Sequence, residues 1–289
     1  MRADLTLALI ALLWGSTFVL VKRALDDVSP LLFLVLRFGL ATLVLGWYFR
    51  KRIAQGFRRK EVFIGIGVGA MLMLGYVLQT IGLKTTSPSK SAFLTGLYIV
   101  LVPFANSLVY RIAPRFAELI GVLLAGMGMA LLSMQGESLT MTPGDLLTVG
   151  CAVAFALHIV MLSHFAPILG FESLSVLQIG GAALVALVSM PLVEQPVLRW
   201  SPSVIAAILV GGLLATALAF VLMTWAQQRT TPTRAAVIYS LEPVFAWIVS
   251  WLWEGEILGQ RAAFGAILIL AGILVVELKP AGSGKHPSQ

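Results

Sequence analysis

Charged residues in this chain are spaced so widely that they dictate its surroundings. Six stretches of at least 18 residues contain no Asp, Glu, Lys or Arg: 62–83, 91–110, 119–136, 146–171, 173–193 and 200–228. About 20 apolar residues in a helix cross the hydrocarbon core of a bilayer, and charges within it are costly. Two more stretches reach that length with one internal charge, Arg37 within 28–49 and Glu242 within 235–253. The end stretches 5–21 and 262–276 become spans by borrowing a residue or two from polar flanks. The expectation is an all-α integral membrane protein of ten transmembrane helices, with loops too short for a soluble domain.

Composition closes the alternatives. Of 289 residues, 59% are hydrophobic and 11% charged, whereas soluble domains carry about 25% charged residues. So much apolar surface excludes disorder, and the single cysteine, Cys151, excludes a disulfide framework. The first apolar run reads as a retained span and not as a signal peptide. Trp14-Gly15-Ser16-Thr17 interrupts it, and Lys22-Arg23 stand where small residues would mark a cleavage site.

Lys and Arg in short loops set orientation. With the N-terminus inside, the cytoplasmic side collects 13 of them, including the cluster Arg50, Lys51, Arg52, Arg58, Arg59 and Lys60; the outer side collects 6. Both termini are therefore predicted to be cytoplasmic, in a multi-pass protein of a bacterial-type inner (plasma) membrane. The net charge of +7 belongs to this lipid-facing pattern and not to nucleic acid. Membrane lipids and a small-molecule substrate are the expected partners, with a monomer or weak dimer as the assembly.

The chain also resembles itself. Asp4, Trp14 and Arg37 fall opposite Asp145, Phe155 and Gln178 at an offset of 141, and Ser87-Pro88-Ser89-Lys90 matches Thr231-Pro232-Thr233-Arg234 at 144. Gly121 and Gly128 match Gly265 and Gly272 at that same offset. The expected units are a first five-helix repeat over 1–136, a second over 137–279, and a flexible cytoplasmic tail over 280–289. Five is odd, so the second unit enters the bilayer from the opposite side. The repeats are then inverted, as in several secondary transporters whose substrate site lies between the halves.

These residues resemble the drug/metabolite transporters of the ten-helix, two-repeat EamA type. The resemblance rests on Leu13-Trp14-Gly15-Ser16-Thr17-Phe18, on Ala92-Phe93-Leu94-Thr95-Gly96-Leu97-Tyr98, on Ser240-Leu241-Glu242-Pro243-Val244-Phe245-Ala246, on Gly255-Glu256, and on Gly265 through Gly272. It implies export of small metabolites, amino acids among them, through a cavity lined mainly by helices one, three, four, six, eight and nine. One departure stands out. Pro88 to Pro103 spans 15 residues but Pro232 to Pro243 spans 11, so the mid-helix prolines are about one turn out of register.

Enzyme signatures lead nowhere. Gly65-Ile66-Gly67-Val68-Gly69-Ala70 matches a dinucleotide fingerprint but lies within a span, where Gly65 and Gly69 read as a small-residue packing face. No zinc-ligand spacing and no nucleophile elbow occurs, so no catalytic residue, metal or cofactor is expected.

Polar groups inside spans are more informative, because each is costly to place. Arg37 can meet a carboxylate-bearing substrate, or it can bond helix carbonyls or snorkel. Glu242 precedes Pro243, which should kink helix nine. It can accept bonds from freed amides, bind a substrate amine or take a proton. His158 suits proton handling or a neutral bond between helices, and Gln79 carries the same ambiguity. Trp14, Tyr76, Tyr98, Trp225 and Tyr239 fall in helices that line the family's cavity, where aromatic rings hold planar or cationic ligands. The expected cavity is therefore Trp14, Tyr76, Gln79, Tyr98, His158, Trp225, Tyr239 and Glu242, with Pro103 and Pro243 as hinges. The leading expectation is a secondary transporter exporting small metabolites, amino acids and aromatic ones among them, by alternating access. A multidrug cation exporter using Glu242 is the rival, and a membrane enzyme or scaffold the alternative from another class.

Overall fold

A computed structural model describes residues 2–133, 141–245, 248 and 259–278. Seven helical segments in it are long and apolar enough to cross a bilayer. In chain order they are α1 (Arg2–Gly15) with α2 (Phe18–Ala24), α3 (Pro30–Tyr48), α5 (Arg59–Leu83), α6 (Pro88–Gly96) with α7 (Tyr98–Tyr110), α9 (Pro143–Leu169), α10 (Phe171–Val193), and α11 (Pro202–Leu209) running through a π-helix (Val210–Leu218) into α12 (Ala219–Gln227). A short α4 (Arg50–Ala54) links α3 to α5. The expected fifth and tenth spans are the shorter apolar stretches of α8 (Phe116–Ser133) and α14 (Gln260–Leu278). The expected ninth begins as α13 (Pro232–Tyr239), and most of its later part lies outside the described residues, as does the expected tail 280–289. The chain is a multi-pass helical membrane protein.

Helix starts follow from local chemistry. A hydroxyl side chain caps a proline-led first turn four times over, satisfying an amide that has no helical partner. Ser87 Oγ accepts from the Lys90 amide at 3.1 Å, Thr142 Oγ1 from Asp145 at 3.1 Å, Ser201 Oγ from Val204 at 3.4 Å, and Thr231 Oγ1 from Arg234 at 3.2 Å. The repeated hydroxyl-Pro-hydroxyl-basic tetrapeptide is thus a cap followed by a cation.

Glycines set how closely helices approach. A Cβ on Gly69 of α5 would lie 2.3 Å from the Gln178 carbonyl oxygen of α10. On Gly128 of α8 it would lie 2.4 Å from the Gly265 carbonyl of α14, and on Gly121 it would lie 2.7 Å from the Gly272 carbonyl. Backbones in contact maximise van der Waals packing where no hydrophobic force draws helices together.

Two of these spans, and the helical stretch that starts as α13, are interrupted in mid-course. The first breaks at Ser16–Thr17, where the Thr17 amide and hydroxyl both bond the Trp14 carbonyl, at 2.9 and 2.8 Å. The α6–α7 span breaks at Leu97, whose amide bonds the Leu94 carbonyl three residues back. The stretch that starts as α13 breaks at Ser240–Leu241, with bonds to Val237 and Ile238 three residues back. Leu97 and Leu241 are 144 positions apart, so the breaks keep the repeat register that Pro103 and Pro243 lose. Pro103 lies buried within α7, six residues past its break, and Pro243 lies two past the other.

Candidate functional site

The broken and widened helices surround a cavity of about 60 Å³, enough for several waters or one small solute. Trp14, Thr17, Phe18 and Val21 line it from the first span, and Leu72, Tyr76, Gln79, Thr80 and Leu83 from α5. Thr95 and Tyr98 flank the break at Leu97, and Phe155, His158 and Ile159 come from α9. Phe220 and Met223 come from α12, Glu242 from beyond the break at Ser240–Leu241, and Arg37 from α3.

Arg37 is 4% exposed. Its Nε donates to Thr216 Oγ1 at 2.8 Å, and Nη2 donates to Tyr76 Oη and to the Ala215 carbonyl, both at 3.4 Å. The guanidinium also lies 4.8 Å from the centre of the Tyr76 ring, a cation–π contact. Thr216 and Ala215 belong to the π-helix, whose widened turns are frequent at functional sites. The Ala215 carbonyl also accepts from Trp14 Nε1 at 3.0 Å, so one carbonyl holds both an aromatic and a cation at the cavity wall.

His158 Nε2 lies 3.0 Å from Gln178 Oε1, and Gln178 Nε2 donates to Thr224 Oγ1 at 2.8 Å. Since the amide oxygen accepts, His158 carries its proton on Nε2 in this arrangement. All three residues are buried, and they join α9, α10 and α12. Gln79 Nε2 donates to Thr95 Oγ1 at 3.1 Å. Glu242 is half-buried and has no hydrogen-bond partner among the described residues. Nor is it within the 4.0 Å of an ion pair with Arg37.

Of the residues singled out from sequence, Trp14, Tyr76, Gln79, Tyr98, His158 and Glu242 come together here, with Arg37. Tyr239 stands one layer back. It is fully buried, packs against Trp14 with ring centres 5.3 Å apart, and accepts from Gln227 Nε2 at 3.5 Å. Trp225 lies off the cavity under Arg229, whose guanidinium is 4.3 Å from its ring centre. Thr216, Thr224 and Phe155 were missed. A signal existed for the first two, which are hydroxyls inside the apolar stretch 200–228. Gln178 and Phe155 were placed by the repeat alignment but given no role.

Two ion pairs join helix N-termini. Lys90 Nζ lies 2.7 Å from Asp145 Oδ2, and Asp145 Oδ1 accepts from Thr86 Oγ1 at 3.0 Å. Arg234 Nε lies 3.1 Å from Asp4 Oδ1. Among the described residues, no cluster of metal-ligating side chains accompanies them.

The long apolar helices enclose a cavity that is both polar and aromatic. The EamA-like transporter family matches residues 1–134 and 142–278. An uncharacterized transporter of Archaeoglobus fulgidus is 36% identical over 285 residues, covering 96% of this chain and 86% of the relative. The uncharacterized transporter YdfC of Bacillus subtilis is 23% identical over 278 residues, 92% of this chain and 88% of the relative. A solved crystal structure shares the fold with a TM-score of 0.78 over 96% of each chain, at 21% identity. The chain belongs to the EamA-like transporter family, within the drug/metabolite transporters.

Proposed function

We propose that this protein is a secondary transporter exporting small metabolites, amino acids and aromatic ones among them, across a bacterial-type inner membrane by alternating access. The observation that carries the reading is a single cavity that joins an aromatic wall to one fixed cation, Arg37, and one carboxyl group, Glu242. Its size suits a small solute. The cavity is assembled within one chain, so a monomer suffices.

In this reading ten helices form two inverted five-helix repeats, 1–136 and 137–279, with both termini cytoplasmic. Contacts between repeat-related positions support it. Gly121 meets Gly272 while Gly128 meets Gly265, and Asp4 pairs with Arg234 while Lys90 pairs with Asp145. Such an exchange of partners is what a two-fold axis requires, residue i meeting j′ and j meeting i′. The pair at Asp4 then closes the cytoplasmic end and the pair at Asp145 the outer end. The three helix breaks supply the bending, with Pro103 and Pro243 withdrawing backbone bonds nearby.

Counterflow in proteoliposomes across the twenty amino acids, with and without an imposed pH gradient, tests the reading. Saturable flux of at least one of them is expected, and none for the whole panel sinks it. The second reading, a multidrug cation exporter, draws on Glu242 having no hydrogen-bond partner among the described residues. It requires that Glu242→Gln abolish cation flux.

A further inference from the structure

A guanidinium keeps its charge in any protein setting, and placing one in a membrane span is costly unless something compensates it. The partners that Arg37 has are all neutral: a hydroxyl of Thr216, a phenol of Tyr76, a carbonyl of Ala215 and the Tyr76 ring face. Among the described residues no carboxylate lies within ion-pair distance of it. These contacts occupy Nε and Nη2, and Nη1 donates to no described residue. The arrangement therefore orients the fork without neutralising it.

Its stem is gripped as well. A Cβ on Gly211 of the π-helix would lie 3.3 Å from Arg37 Cδ, so α3 and the π-helix close around the side chain. Snorkelling to a membrane surface is the usual relief for an intramembrane arginine, and here the packing directs the group to the cavity instead.

We infer that Arg37 is the anchor for a carboxylate of the cargo, with Glu242, elsewhere on the same cavity wall, receiving its cationic end. The inference rests on the amino-acid reading above and narrows it to zwitterions recognised at both charges. A carboxylate matches the planar fork of a guanidinium, through bonds roughly twice as strong as neutral ones. A phosphate dianion fits poorly, because one cation would face two negative charges. A simple amine would leave Arg37 without a counter-charge. A zwitterion answers both groups at once, and the two do not neutralise each other because they lie beyond ion-pair distance.

The test uses the full-length protein in proteoliposomes. Whichever of the twenty amino acids shows the strongest counterflow is compared with its own carboxamide and its decarboxylated amine as competitors. On the unaltered protein, the carboxamide should compete at least about tenfold less well, the scale of one charge-assisted hydrogen bond. Arg37→Gln should raise the half-saturating concentration of the amino acid by about 30-fold or more, as loss of a buried charged partner does. Arg37→Lys, which keeps the charge but not the fork, should fall between. Equal competition by acid and carboxamide overturns the anchor, and so does unchanged affinity in Arg37→Gln; either leaves amino-acid transport standing. No flux for any amino acid overturns the underlying reading instead. If Arg37→Gln does not fold, as judged by its elution and thermal unfolding, the carboxamide comparison decides alone.

Discussion

Lys90 and Asp145 form an ion pair of 2.7 Å with only 7% and 0% of their side chains exposed, joining the first turns of α6 and α9. Removing one partner of a buried pair costs about 3–5 kcal/mol. Asp145→Asn should therefore lower the thermal unfolding midpoint in detergent substantially. The related pair of Arg234 and Asp4 is more open, at 26% and 14%. Asp4→Asn should therefore cost less than Asp145→Asn. Equal losses in the two variants would contradict the difference in burial.

Thr216 holds Arg37 Nε from the π-helix at 2.8 Å. Thr216→Val should loosen the hold on the fork and weaken cargo binding by roughly tenfold. Thr216→Ser should restore it, because the hydroxyl returns without the methyl group. Loss of affinity with maximal flux retained marks a positioning role, and equal loss in Val and Ser variants would mean that only packing mattered.

Gly75 makes room for Phe155 at the cavity wall. A Cβ there would come within 2.4 Å of two Phe155 ring carbons, so Gly75→Ala must displace the ring. The variant should fold, since side chains can give where backbones cannot, but transport of large amino acids should fall more than that of small ones. Flux assays with a large and a small member of the panel check this, and a uniform change would argue that Phe155 does not set cargo size.

Gly128 presents a different case, because its near neighbour is backbone. A Cβ would lie 2.4 Å from the Gly265 carbonyl and 2.8 Å from the Ile269 amide. Gly128→Leu should force α8 and α14 apart and cost about 1–3 kcal/mol or more. An unchanged unfolding midpoint would be incompatible with this contact.

Reporter tags at Gln55 and Pro196 should report opposite compartments. The first lies in the basic linker that the charge distribution places inside, the second in the segment after α10. Both tags on one side would refute the proposed inversion of the halves.

Much of the helical course among the described residues was legible because desolvating a charge is costly enough to mark the ends of the long spans. The hydroxyl-proline pairs entered the sequence reading only as a repeat match, although capping is local chemistry and marks each as a helix start. Trp14, Arg37, His158 and Glu242 stand out as polar or aromatic side chains in apolar runs, and all four line the cavity described above. Tyr239 shows the limit. It shares the right helix with the cavity, but the side of the helix it occupies is fixed by packing against Trp14, which no linear pattern records. The π-helix was invisible for a similar reason. Val210–Leu218 reads as ordinary apolar sequence, and its widened turn is stabilised by tertiary bonds from Trp14 and Arg37 that arise 178 to 201 positions away.

That widened turn makes the seventh long span unusually sensitive to length. A π-turn accommodates one more residue than an α-turn, and each residue in an α-helix advances by about 100°. Deleting a single amino acid between 210 and 218 could therefore be absorbed as a return to regular winding. The span would still cross the bilayer, yet Thr216 and Thr224 would no longer share their present rotational phase, and one of their two clients, Arg37 or the His158–Gln178 link, would lose its mooring.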